Sequence, residues 1–334
     1  MKILFDHPDP FLLGHGGVQR QIECSKAALE RLGVEVEFLR WWDERQTGDL
    51  IHFFGKATPT YLRQASIRGL PVVMTSFFSD TCNRPKARLR RQALVSRALM
   101  KMAGESHVQD LLGWRRYHDC AHNVVGLRAE QFVLEYVYRV PPERISTVPL
   151  GVANVFLTAG KAKARGDHLI TTGTINPIKR SVELAQAARA AGVPLLFVGR
   201  PYSEQSGYWK RFQELIDGQC VRHRPHVESS QEMAAFLQQA RGFVIFSQFE
   251  NWCLSAHEAA AVGLPLLLPD LPWSRERFGA AANYFSDAAS VSARLREFYE
   301  AAVSLPPPAV SIPGWENTGA QLKAIYEYHV ARRK

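Results

Sequence analysis

The sequence contains no uninterrupted apolar run of the roughly 18 to 20 residues that a membrane-spanning helix requires. Its apolar opening, Met1–Phe5, is followed by Asp6, Pro8 and Pro10, which is typical of a first strand and not of the core of a signal peptide. These two absences predict a cytoplasmic location.

Paired cysteines and acidic clusters are also lacking. The cysteine count of five is odd and no paired spacing occurs, which excludes a disulfide framework and a zinc site, so we expect reduced thiols. Because no acidic cluster has the spacing of metal ligands, no metal or other cofactor is predicted. The cysteines are Cys24, Cys82, Cys120, Cys220 and Cys253.

Negative charge is in deficit, with 32 acidic residues against 41 lysines and arginines and a net charge of +9. Such a surplus suits an anionic partner, which could be a nucleotide sugar, an acidic membrane face or nucleic acid. Charge alone does not choose among these three.

The chain does contain a regular alternation of strand-length apolar runs, such as Ile3–Phe5 and Gly242–Phe246, with helix-like segments, such as Ser181–Ala191 and Gly314–Ala331. This alternation predicts βαβ units, mainly parallel sheets and an α/β fold. A length of 334 residues favours two doubly wound domains over one. The predicted parts are residues 1–155, residues 156–313 and a terminal helix over residues 314–334.

Two glutamates, Glu250 and Glu258, follow the apolar run that ends at Phe246. On one helix their carboxylates would lie about 12 Å apart along the axis, too far for an acid/base pair. We therefore place Glu250 on the loop that leaves the strand and Glu258 in the first turns of the next helix. Free backbone N–H groups from Trp252 to Ser255 would lie between them, which suits a polyol attached to a phosphate.

The flanking residues are more specific. The segment Phe246–Pro265 has a serine shortly before Glu250, an aromatic residue two positions later, the pair Glu258–Ala259 and a final Gly-x-Pro. It resembles the signature of retaining family-4 glycosyltransferases of the GT-B fold. The resemblance implies two Rossmann-like doubly wound domains that face a central cleft, with the C-terminal helix crossing back to the N-terminal, acceptor-side domain.

The resemblance also implies roles for this segment. Glu250 would contact the donor sugar and Glu258 the ribose of the nucleotide. Cys253 stands where the family usually has glycine. The backbone amides that would approach the sugar phosphate belong to Asn251, Trp252, Cys253, Leu254 and Ser255.

Two further segments match parts of the family's donor site. Gly16 and Gly17 open the first helix, where the family's Gly-Gly pair faces the donor diphosphate. Gly173, Thr174 and Lys179 follow a predicted strand, and the resemblance makes Lys179 a ligand of the diphosphate leaving group.

Thr174 is a departure, because the family has an arginine there that shares the neutralising role. Arg180 and Arg200 are the alternatives for the missing positive charge, and both could equally be solvated arginines.

The strand Asp49–Phe54 resembles the family's Asp-x-x-His strand at the floor of the cleft. His52 is therefore a third catalytic candidate beside Glu250 and Lys179, although a structural role is common for a histidine at a strand end. Phe77 stands where many members have a histidine, so donor orientation on that side is expected to differ.

The densest basic run lies in the acceptor-side domain, where we predict an acceptor or membrane patch. One interpretation is a solvated helix face; the other is contact with an anionic lipid-linked acceptor or the inner membrane leaflet. No nucleic-acid partner is predicted, because the run lacks interleaved aromatic residues. The run comprises Arg84, Lys86, Arg88, Arg90 and Arg91.

These features together predict a retaining glycosyltransferase of the hexosyltransferase type. It would move a sugar from a UDP- or GDP-linked donor to a glycan or lipid-linked acceptor. Two alternatives remain open: a GT-B sugar-nucleotide epimerase, and a non-catalytic protein that binds a nucleotide sugar or a partner.

Overall fold

The computed structural model describes residues 1–13, 16–78, 80–102, 109, 113–160, 166–286 and 291–332. The chain divides into two compact units. The first unit comprises Met1–Gly14, Val18–Leu150 and Trp315–Lys334, and the second comprises His15–Gly17 and Gly151–Gly314.

The first unit is built on a six-stranded, fully parallel sheet with the order β2-β1-β3-β4-β5-β6. Its central strands β3 and β4 are buried at every position, as expected when helices cover both faces of a parallel sheet. The strands are β1 (Lys2–Asp6), β2 (Glu35–Phe38), β3 (Leu50–Phe54), β4 (Val72–Thr75), β5 (His122–Val125) and β6 (Ile145–Thr147).

Helices cover the two faces of this sheet and enclose two apolar clusters. A π-helical turn, Val133–Val137, follows α5, and two 3-10 turns occur at Asp80–Asn83 and Pro142–Arg144. The α-helices are α1 (Gly17–Arg31), α2 (Pro59–Ile67), α3 (Lys86–Met102), α4 (Trp114–Asp119) and α5 (Arg128–Phe132).

The terminal helix, Trp315–Ala331, belongs to the first unit and covers one face of its sheet. Its Thr318 hydroxyl donates to the carbonyl of Pro149 at 2.8 Å. A Cβ at Gly319 would lie only 3.0 Å from the Cβ of Ala28, so the small residue allows the close approach of this helix to α1. The chain therefore returns to the first unit through a packed contact.

The second unit is built on another six-stranded parallel sheet, with the order β12-β11-β10-β7-β8-β9. From β7 the chain adds β8 and β9 on one side, then crosses to β10 on the other side. The strands are β7 (Leu169–Thr172), β8 (Leu195–Val198), β9 (Val221–Arg224), β10 (Gly242–Val244), β11 (Leu266–Pro269) and β12 (Asn283–Phe285).

This crossing makes the β7–β10 pair the point at which the strand order reverses, and ligands of open α/β sheets bind outside the carboxyl ends of such strands. A 3-10 turn, Gly279–Ala281, precedes β12. The helices are α6 (Asn154–Thr158), α7 (Ser181–Ala191), α8 (Gly207–Gln213), α9 (Ser230–Gln239), α10 (Leu254–Ala261), α11 (Pro272–Phe278) and α12 (Val291–Ala301), and the terminal helix Trp315–Ala331 is α13.

The helices and the cysteines bear on two predictions from composition, the lack of a membrane-spanning helix and the lack of disulfides. None of the helices within the described ranges is long and apolar enough to cross a bilayer. The five cysteines all lie in the described ranges, and no disulfide links them.

One glycine is required by the packing of two loops in the second unit. A Cβ at Gly199 would lie 1.9 Å from the carbonyl oxygen of Gly173, a backbone atom that cannot rotate away. We predict that Gly199→Ala lowers the free energy of unfolding by about 1–3 kcal/mol through overpacking, measured by thermal unfolding.

The matched control is Gly207→Ala, because Gly207 lies in the first turn of α8 and a Cβ there meets nothing within 4 Å. That variant should be neutral or slightly more stable than the parent, since alanine favours the helix. Equal melting temperatures for both variants would contradict the assigned close approach.

Candidate functional site

The site lies where the loops that follow β7 and β10 meet. These two strands are adjacent, so their carboxyl ends share one edge of the second sheet. The amide of Gln248, after β10, donates to the carbonyl of Ile178, after β7, at 2.9 Å. This backbone bond holds the two loops together and brings Lys179 next to Glu250.

Lys179 and Glu250 form a salt bridge in which Nζ donates to Oε1. The side chains are 27% and 11% exposed, so both charges are largely withdrawn from water. Burial alone would lower the pKa of Lys179, but the Glu250 carboxylate outweighs it and the net pKa lies above its usual value. The structure therefore brings together the two main catalytic candidates as a charged pair.

The conformation of Lys179 is set by a short turn. The side-chain oxygen of the buried Asn176 accepts from the amide of Lys179 at 2.9 Å, which is an Asx-type turn. Arg180 then adopts a left-handed conformation with φ of 52° and ψ of 42° before α7 begins. Asn176 was missed by the sequence reasoning, although Asn-Pro is a recognised signal for a turn.

Gly173, which precedes this turn, leaves open space at the carboxyl edge of the second sheet. Gly173 has a φ of 137°, a region that side chains rarely adopt, and nothing lies within 4 Å of a Cβ built there. A small recess, partly open to solvent, lies at this point and is lined by Gly173, Thr174, Lys179 and Ser181, among others. Arg200, a candidate for the missing arginine, is exposed on the loop after β8.

The structure also brings the Gly-Gly segment to this loop. Gly16 and Gly17 fall within the second unit by their contacts, and Gly14 and His15 lie outside the described residues. Gly16 has a φ of 130°, and a Cβ there would lie 3.3 Å from Oγ1 of Thr174. The smaller threonine therefore stands beside Gly16, at the position where the resemblance expects an arginine.

A left-handed residue also precedes the helix on the other loop. Cys253 has a φ of 60° and a ψ of 62° and is followed directly by α10. Because this conformation disfavours residues that carry a Cβ, it supplies a physical reason for the glycine that the resemblance expects here. Burial raises the pKa of the Cys253 thiol to about 12, so the thiol stays protonated near neutral pH.

His257 holds this strained residue in place. The carbonyl of Cys253 accepts from Nδ1 of His257 at 3.0 Å, which requires the proton on Nδ1, and from the amides of Ala256 and His257. Burial lowers the pKa of His257 to about 4, so the ring is neutral near pH 7. A histidine four residues after Cys253 is within reach of its carbonyl on a helix, but the sequence alone does not show that the cysteine is left-handed.

Aromatic stacking fixes the ring of His257. The rings of His257 and Trp252 are parallel within 11° at a centroid distance of 4.7 Å. The centroid of the Phe278 ring also lies 4.7 Å from that of His257. The guanidinium of Arg277 lies 3.6 Å from the centre of the Trp252 ring. This stack anchors the residues between Glu250 and α10.

Glu258 lies in the second turn of α10 and is partly exposed, as are Asn251, Leu254 and Ser255. The first amides of α10 have no partner within the helix, which favours an anion at this end. Loop and helix thus carry one glutamate each, in the arrangement expected from the spacing.

His52 differs from its predicted setting. It lies in the middle of β3 and not at a strand end, and it is fully buried in the first unit. Its Nδ1 bonds to the Tyr326 hydroxyl at 2.5 Å and its Nε2 to Oγ1 of Thr75 at 2.7 Å. Burial lowers the pKa of His52 to about 3, so both ring nitrogens are occupied in a neutral, structural residue.

The predicted basic patch lies in the first unit, with Arg84 just before α3 and the other four residues on that helix. Among the described residues, no three His, Cys, Asp or Glu side chains come together as possible metal ligands. That no metal is required stays a prediction from the sequence.

Solved structures of other proteins share the fold at low sequence identity. Sucrose-phosphate synthase from Thermosynechococcus elongatus is 14% identical, covers 99% of this chain and 100% of its own, and has a TM-score of 0.68. Anabaena Alr3699/HepE in complex with UDP and glucose is 13% identical, with coverages of 98% and 99% and a TM-score of 0.65. The lipopolysaccharide outer core galactosyltransferase WaaB is 13% identical, with coverages of 100% and 98% and a TM-score of 0.58.

No protein-family model matches the chain, and no curated protein matches it in sequence. At such identities a structural likeness establishes the fold alone. The full-length matches and the two six-stranded parallel sheets show that the chain has the GT-B glycosyltransferase fold, which confirms the predicted fold class.

The strain at Cys253 generates a prediction about His257. A left-handed residue with a Cβ costs about 1–2 kcal/mol, and the His257 bond offsets part of this cost. We predict that His257→Leu destabilises the second unit by about 1 kcal/mol more in the parent protein than in the Cys253→Gly background. Native-state hydrogen exchange of amides in β7 and β10 measures both differences.

Phe278→Leu is the matched control, because Phe278 contacts the His257 ring but does not bond to Cys253. Its effect and that of Cys253→Gly should add within about 0.5 kcal/mol. If His257→Leu were also additive with Cys253→Gly, the histidine would not be holding the left-handed residue.

Proposed function

We propose that the protein is a retaining glycosyltransferase of the family-4 type that transfers a hexose from a UDP- or GDP-sugar to a glycan or lipid-linked acceptor. The observation that carries this proposal is the Lys179–Glu250 pair at the carboxyl edge of the second sheet. A cation for a diphosphate and a carboxylate for sugar hydroxyls lie side by side, at the point where open α/β sheets bind ligands.

Each part of the proposed donor site has a distinct role. Lys179, the amides of Gly16 and Gly17 and the first amides of α10 would neutralise the diphosphate. Glu250 would accept hydrogen bonds from the sugar, and Glu258 from the ribose. Arg180 or Arg200 would supply part of the charge that Thr174 lacks.

The proposed reaction breaks the bond between the anomeric carbon and the diphosphate oxygen. The acceptor oxygen forms the new bond on the same face, and its proton passes to the leaving diphosphate. Glu250 positions the donor and forms no covalent bond. Because the positive charge comes from Lys179 and from backbone amides, the proposal requires no metal.

Nothing favours the alternatives. WaaB is a galactosyltransferase by name, and HepE holds UDP and glucose, so neither an epimerase nor a non-catalytic binding protein gains support. A cytoplasmic location with peripheral contact at the inner membrane face completes the proposal.

The test is thermal unfolding with UDP, GDP, ADP, CDP and their common sugars, with a chelator present. A ligand at a hundred times its dissociation constant should add about 2.7 kcal/mol of stability. We predict a chelator-resistant shift with UDP or GDP that Glu258→Ala abolishes, while Glu228→Ala, an exposed glutamate of the same unit, leaves it unchanged.

The stabilising donor is then incubated with candidate acceptors, and the anomeric configuration of the first product is read by NMR. Retention is expected. An inverted product would contradict the mechanism, an isomerised donor without acceptor would indicate an epimerase, and no stabilisation by any nucleotide would contradict the donor site.

A further inference from the structure

Helix α3 of the first unit carries charge of one sign only. From Thr81 to Gly104 the sequence contains no Asp or Glu, and α3 itself contains six lysines and arginines. Surface helices normally mix charges of both signs, since opposite charges three or four residues apart stabilise the helix. Repulsion between the like charges of α3 therefore lowers the stability of the helix, and an anionic partner would offset this loss.

The inner face of α3 is a conventional packing face. Leu89, Ala93 and Ser96, at a spacing of three to four residues, are buried, and Leu89 and Ala93 join the apolar cluster of the first unit. This contact fixes the rotation of the helix about its axis, and so determines which side chains face away from the protein.

The outward-facing side of α3 carries exposed aliphatic side chains among its cations. At 100° per residue, Arg91 and Ala98 lie opposite the buried face, with Leu94 and Val95 on either side of them. Leu94 is 63% exposed, Val95 54% and Leu99 45%. A helix face that contacts only water usually carries polar side chains at these positions.

The cations on this face are available to a ligand. Arg97 and Lys86 are engaged within the first unit, Arg97 with the carbonyl of Tyr136 and Lys86 over the ring of Phe132. Within the described part of the chain, the side chains of Arg88, Arg90, Arg91 and Lys101 make neither a hydrogen bond nor an ion pair. By the same helical angles, these four cations are interleaved with the exposed aliphatic side chains, and Arg91 lies between Leu94 and Val95.

We propose that this outer face of α3 binds the surface of an anionic lipid bilayer. Leu94, Val95 and Leu99 enter the boundary between headgroups and acyl chains, and the four cations contact lipid phosphates. Nucleic acid is less suited to the face, because exposed aliphatic side chains offer no stacking platform for bases. The inference names the surface for the peripheral membrane contact of the proposed function, but it requires neither donor binding nor turnover.

The test is flotation of the full-length protein with vesicles of pure phosphatidylcholine and with vesicles that contain 30% phosphatidylglycerol. We expect binding to the anionic vesicles only, weakened by salt because exposed charges are screened. The double variant Arg90→Glu/Arg91→Glu should lose about tenfold or more in vesicle affinity. Leu94→Ser/Leu99→Ser should lose about tenfold at constant charge, since aliphatic burial contributes separately.

The matched control is Arg63→Glu/Ile67→Ser on α2 of the same unit, which changes an exposed arginine and a 71% exposed isoleucine. It should bind like the parent, and all variants should keep the parent's melting temperature. Equal losses in the control, equal binding to neutral vesicles, or no binding would overturn the proposal. Tighter binding to a single-stranded oligonucleotide than to anionic vesicles would assign the face to nucleic acid instead.

Discussion

The salt bridge between Lys179 and Glu250 is the interaction on which the proposed chemistry of the second unit depends. The Glu250 carboxylate helps to hold the pKa of Lys179 above its usual value, so the lysine stays charged in a setting largely shielded from water. A phosphate that approaches Lys179 alone also approaches a carboxylate and is repelled by it. A sugar diphosphate offers oxygens to the lysine and hydroxyl groups to the glutamate, so it satisfies both partners at once.

The fold brings these two residues together through backbone geometry. Strands β7 and β10 pair where the strand order reverses, and the Gln248–Ile178 bond joins the loops that follow them. Both loops end in a left-handed residue with a Cβ, Arg180 before α7 and Cys253 before α10. Strain of this kind collects at functional sites because the surrounding hydrogen bonds can maintain it.

The sequence predicted the architecture well because alternating apolar runs and helical segments have few ways to pack. Helix Ser181–Ala191 occurs with the predicted bounds, and the doubly wound fold is confirmed. The pairing of Lys179 with Glu250, 71 residues apart, could not be predicted, because it depends on strand order. The prediction that His52 lies at a strand end was wrong, because every residue of β3 is buried and the burial pattern does not mark where the strand ends. The contacts of Asn176, Gly199 and His257 are with backbone atoms of other residues, and a pattern of side chains in the sequence does not reveal such contacts.

The most direct measurement is calorimetric titration of the preferred nucleoside diphosphate, without sugar, into the parent protein, Lys179→Met and Glu250→Gln. We expect Lys179→Met to lose at least about tenfold in affinity, because a charge-assisted contact disappears. Glu250→Gln should bind the diphosphate as tightly as the parent or more tightly, since its competing carboxylate is gone. Unchanged affinity in Lys179→Met, or an equal loss in both variants, would contradict the central role of the ion pair.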